Sequence, residues 1–145
     1  VELKATILCD FAIVRDSLLT VVGGGVTRVF SANAPVNPNL SVAVVLGLSQ
    51  TEMGASHEAR LEVHDEDGNA VSAVIGSFQF TPQPVGTDRL GINVLPGEEM
   101  VIPLSFDLRG CSLPHFGGYS IVLVVDGEVM TLRTAFRLIP PPPPT

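Results

Sequence analysis

The chain has 145 residues, of which 46% are hydrophobic and only 16% charged, with a formal net charge of −7. That length suits one domain with a sizeable core, and the apolar balance excludes disorder. Fifteen acids against eight bases disfavour nucleic acid and anionic membranes, both of which are bound through basic surfaces. A mean hydropathy of +0.40 implies either a large core or some apolar surface that meets a partner. The longest nearly apolar run, Leu40 to Leu48, is far short of the roughly 20 residues of a membrane span. Lys4 is the only lysine, beside seven arginines, which together with the Ala, Val, Gly and Pro richness points to a GC-rich, actinobacterial-like genome. The opening Val1 to Asp10 does not read as a signal peptide, so the expected compartment is the cytoplasm.

Alternation with a period of two recurs along the chain, and helical periodicity is nearly absent. A first strand is expected over Glu2 to Val14, with Cys9 on its apolar face, and Arg15-Asp16-Ser17 as the turn that ends it. A second runs from Leu18 to Phe30, interrupted by Gly23-Gly24-Gly25, which implies a bulge or sharp bend. Ser31 to Asn39, with two prolines and three asparagines, is a loop; Leu40 to Gln50 is a third strand; Thr51 to His57 is a polar connection. In the strand Glu58 to His64, Ala59, Leu61 and Val63 face inward. Asp65 to Asn69 turns the chain into a strand over Ala70 to Phe80. Thr81 to Gly97 is irregular, with Leu90 to Val94 as a short edge strand. Glu99 to Leu108 buries Ile102, Leu104, Phe106 and Leu108, while Pro103 on the other face requires an edge or a bulge. The last two strands, from Gly117 to Leu138, fold about Asp126-Gly127, a dipeptide suited to the positive φ of tight hairpin turns.

About seven to eight such strands, separated by regular turn signals, indicate an all-β domain: an antiparallel β-sandwich, immunoglobulin-like or C2-like, with a closed barrel as the alternative architecture. Tyr119 follows Gly117-Gly118 at the start of the penultimate strand, where immunoglobulin-like sandwiches carry a corner tyrosine. The domain covers residues 1–139, and residues 140–145 form a proline-rich tail that cannot join a sheet. Cys9 and Cys111 read as reduced thiols, with a bridge between them as the minority reading.

The run from Leu8 to Gly25, with Asp10-Phe11-Ala12 before the turn and Leu19-x-Val21-x-Gly23-Gly24 after it, resembles the opening of an uncharacterised bacterial β-sandwich family. The close of the chain is similar too: Tyr119 flanked by Gly118 and Ser120, an apolar strand, Asp126-Gly127-Glu128 and a last strand. The resemblance spans nearly the whole chain and implies the fold. The family is a domain of unknown function and brings no active site with it.

Few constellations carry chemistry. Asp65, Asp67 and Asn69 are weak candidates for a Ca²⁺ loop of the C2 type, against the plainer reading of a solvated hairpin turn. His57, His64 and His115 lack neighbours at zinc spacing and read as surface and loop residues. No nucleophile elbow or phosphate loop occurs, and the absence of Trp weakens a carbohydrate site. No catalytic residue and no cofactor is therefore assigned. Val122 and Val124 are apolar on the face opposite Ile121 and Leu123; they are either ordinary exposed valines or an interaction surface. The expectation is a non-catalytic protein–protein interaction or assembly module, whose partner is another protein or a second copy in a homodimer. The alternatives are a Ca²⁺- or ligand-binding C2-like module and, last, an enzyme with an unrecognised site.

Overall fold

The structure is a computed structural model that describes residues 1–71, 76–82, 95 and 97–145. Among these residues the chain is all-β: eleven strands, one short 3-10 turn over Gln50–Glu52, and no α-helix. In chain order the strands are β1 (Glu2–Cys9), β2 (Phe11–Arg15), β3 (Leu18–Val22), β4 (Arg28–Phe30), β5 (Ser41–Leu48) and β6 (His57–Asp65). There follow β7 (Gly76–Phe80), β8 (Met100–Asp107), β9 (Gly117–Val125), β10 (Glu128–Val129) and β11 (Thr134–Ile139).

Three sheets result. One has the order β1-β5-β8; a larger one has the order β4-β11-β9-β6-β7, with β10 paired to β9; and β2-β3 is a separate hairpin. The two larger sheets share one core. Leu8, Val42, Val44, Leu46 and Leu48 come from the first, and Ala59, Leu61, Val63, Ile121, Leu123, Phe136 and Leu138 from the second. The inward alternation of Ala59, Leu61 and Val63 is as the sequence indicates, each being fully buried. The last strands also turn where Asp-Gly places them: Asp126 and Gly127 have φ of 51° and 81°, the left-handed pair that matches the twist of a tight hairpin. At the other hairpin Asp16 and Ser17, at φ 50° and 58°, play the same part without a glycine.

Several expected strands are broken, each for a local reason. The first divides at Asp10, whose N–H leaves β1 to donate to the carbonyls of Val22 and Gly23. A register shift between Leu3 and Ala5 moves the alternation by one, so that Leu8 joins the core while Ile7 faces outward. The second divides at Gly23 to Gly25, where the chain leaves the hairpin and joins the edge of the large sheet as β4. There β4 runs parallel to β11, the one departure from antiparallel pairing among the described strands. The last strand is likewise two pieces, because the residues between β10 and β11 shift its register against β9 by two positions.

Of the strand expected over Ala70 to Phe80, Gly76–Phe80 is β7, Ala70 bridges to His64, and 72–75 lie outside the described residues. The expected edge strand Leu90 to Val94 also lies outside them. Pro103 sits on β8, an edge strand of the small sheet, as its missing N–H requires.

Candidate functional site

The acidic turn after β6 is built from its own backbone. Asp65 Oδ1 accepts hydrogen bonds from the N–H groups of Asp67 and Asn69, each at 3.0 Å, and the Asp65 N–H donates to the Asn69 carbonyl at 2.9 Å. Glu66 reaches away from the turn and accepts the Gly118 N–H at 2.7 Å, with the Arg137 guanidinium 3.4 Å away. Of the oxygens considered for Ca²⁺, Asp65 Oδ1 is thus used to close the turn, and Glu66 anchors that turn to β9. Among the described residues no group of three His, Cys, Asp or Glu side chains is placed to hold a metal ion.

The three histidines hold different positions. His57 is 8% exposed and lies between two acceptors: Nδ1 is 2.7 Å from Asp126 Oδ2 and Nε2 is 2.7 Å from the Glu52 carbonyl. Its ring also meets Phe80, with centroids 5.5 Å apart. Asp126 spends its second oxygen on the Glu58 N–H at 2.9 Å, and the His57 hydrogen bond is the main reason its carboxyl lies below the ordinary carboxylate range. With both ring nitrogens engaged, His57 clamps the Asp126-Gly127 turn to the 3-10 turn. The sequence gives no sign of this, because 69 residues separate the two partners.

His115 serves Tyr119. The phenol donates to the His115 carbonyl and accepts its N–H at 3.2 Å, and the two rings stack with centroids 5.6 Å apart. Burial raises the phenol's pKa. His64 points outward on β6, its Nε2 2.8 Å from Glu62 Oε2. Glu62 also accepts from Arg60 Nε at 3.0 Å, so His64 and Arg60 together depress its carboxyl.

Val122 and Val124 lie on that same outward face of the large sheet, in register with Glu62 and Arg60. They are nevertheless 0% and 3% exposed. The chain's own atoms cover them, so the doubly apolar strand needs no partner to be explained. Both cysteines are buried and in no disulfide; Cys9 donates to the Ser41 carbonyl at 3.3 Å, and burial pushes its pKa up.

Several large apolar side chains are exposed elsewhere, and four of them gather on the β2-β3 hairpin. One of its faces carries Ala12, Val14, Leu19 and Val21, all half-buried, and the hairpin packs over β5 and β8. The other carries Phe11, Ile13, Leu18 and Val22, at 51%, 36%, 44% and 54% exposure. Register places Phe11 opposite Val22, Ile13 opposite Thr20 and Arg15 opposite Leu18, so these side chains form one continuous patch. The signal was present in the sequence as alternation with apolar residues in both phases.

Comparison with known proteins adds little chemistry. A solved structure, Pseudomonas fluorescens alkylpurine DNA glycosylase AlkC bound to DNA containing an abasic site analog, is similar over 92% of this chain and 30% of that one. The identity is 11% and the TM-score 0.39, a likeness that carries no argument about function. No curated protein is significantly similar in sequence. Residues 4–138, nearly the whole chain, match a family of unknown function, and the chain therefore belongs to that family, DUF6941.

Proposed function

We propose that the protein is a non-catalytic interaction module that self-associates through the outer face of its β2-β3 hairpin. The carrying observation is the contiguous exposure of Phe11, Ile13, Leu18 and Val22 on a two-stranded element that is already apolar on its packed face. Charge favours a second copy as the occupant. At −7 overall, two copies repel wherever their acids meet, and this face carries no carboxylate: its remaining members are Arg15 and Thr20. Arg15 stands at the turn end of the hairpin, and Asp10 just beyond the other end. A two-fold stack of hairpins running in opposite directions brings each Arg15 towards the partner's end that bears Asp10, the reciprocity an isologous interface requires.

We further propose that the fold is an immunoglobulin-like sandwich to which the hairpin adds a flap. The core shared by two sheets and the Tyr119 hydroxyl bonded to backbone four residues upstream support it. Two unbridged cysteines fit a reducing compartment.

Sedimentation equilibrium over a wide concentration range tests the proposal. The native chain is expected to dimerise, and the double variant Phe11→Ser, Val22→Ser to remain a folded monomer, since both side chains are about half exposed. A native chain that stays monomeric, or a dimer indifferent to the double variant, overturns it.

A further inference from the structure

The opposite side of the molecule holds a second unassigned feature. On the outward face of the large sheet, Ala135 of β11, Ser120 of β9 and His64 of β6 form one cross-strand row. The small side chains of Ala135 and Ser120, with Gly118 beside them, leave a trough of about 480 Å³ walled by Arg133, Arg137, His64 and Glu66. Arg137, two positions beyond Ala135 on β11, shares its face, and Arg133, just ahead of the strand, lines the same trough. Arg28 of the edge strand β4 stands directly opposite Arg137.

Three of the seven arginines of an acidic chain thus gather at one sheet edge. Like charges directly across a strand pair destabilise it, which makes the Arg28–Arg137 pairing a cost that local carboxylates do not fully relieve. Glu62 is held by Arg60 and His64, Asp65 by the amides of its turn, and Glu66 by the Gly118 amide as well as by Arg137. Among the described residues, the side chains of Arg28 and Arg133 have no ion pair or hydrogen bond. We infer that this trough binds an oxyanion, the carboxylate or phosphate group of a small ligand. Arg133 is its principal fork, the Ser120 hydroxyl is a floor donor, and Arg28 supplies long-range attraction. Guanidinium suits this task because its planar fork matches both groups in a bidentate manner. The site is independent of the hairpin face and of any dimer formed there.

Amide and arginine side-chain NMR titrations at fixed ionic strength test it, with inorganic phosphate in one arm, acetate in a second and chloride as the control. Saturable shifts centred on Ser120, Ala135 and Arg133 are expected, with millimolar dissociation constants of roughly the order a bare group attains. The probe that binds more tightly identifies the source of the group. Arg133→Gln, at an exposed position, is expected to weaken binding about tenfold, the loss of one charge-assisted fork. Arg28→Gln is expected to weaken it less, and it keeps the test alive should Arg133→Gln fold poorly. The inference fails if neither probe saturates, if chloride gives the same shifts, or if both variants bind as the native chain does.

Discussion

Tyr119 is the only tyrosine of a chain without tryptophan, which makes its hydroxyl unusually easy to interrogate. The Tyr119→Phe variant keeps a ring that is 2% exposed and stacked against Phe136, and removes only the oxygen. That oxygen donates to the His115 carbonyl and accepts the His115 N–H. A typical net hydrogen bond contributes about 1 kcal/mol, and leaving its backbone partners unmet adds to the loss. His115 is itself exposed, so water restores part of this, and the expected cost is about 1–2 kcal/mol. For a domain of this size that lowers Tm by roughly 3–8 °C. Urea unfolding followed by far-ultraviolet circular dichroism measures it without relying on the deleted phenol.

The pH dependence of Tyr119 sharpens the test. Burial raises its pKa in the folded state, so the folded chain holds this proton more tightly than the unfolded one. The resulting stabilisation is complete below the unfolded value near 10 and is lost as pH rises through the higher folded value. The native chain should therefore lose stability above about pH 10 faster than Tyr119→Phe does. Phenolate absorbance of the native chain should appear only above the pH at which it appears in urea. A variant as stable as the native chain at neutral pH, or a folded-state phenol that titrates like the unfolded one, refutes the account of the corner.

Two further substitutions probe polar groups that the fold treats in opposite ways. Among the described residues the buried Thr6 hydroxyl finds no hydrogen-bond partner, so Thr6→Val should raise stability by about 1 kcal/mol, read as a higher urea midpoint at unchanged slope. Asp126→Asn keeps an oxygen for the Glu58 N–H but weakens the acceptor facing His57. Because the carboxylate is 44% exposed and solvent screens it, the expected loss at neutral pH is about 1 kcal/mol, less than a fully buried charged hydrogen bond contributes. Its folded pKa is depressed, so the native advantage should be full above the unfolded value near 4 and fade as pH falls below it. A gap between native and variant that stays constant down to acid pH would count against the His57–Asp126 contact.

What local chemistry dictates was legible in the chain. Alternation of Ala59, Leu61 and Val63 needs only a strand with one dry face, and Asp126-Gly127 needs only a turn whose twist matches its strands. The all-β class and both hairpin turns follow from such short-range rules. Facts that depend on which strands become neighbours stayed hidden. The parallel seat of β4 beside β11 joins residues more than a hundred positions apart, and the clamp on His57 depends on a carboxylate brought from a distant turn. Val122 and Val124 show the same division: their sequence pattern leaves ordinary exposure and a partner surface both open, and only tertiary packing decides that the chain itself buries them. Tertiary packing leaves exposed apolar surface on the hairpin instead, where Phe11 and Val22 stay about half exposed.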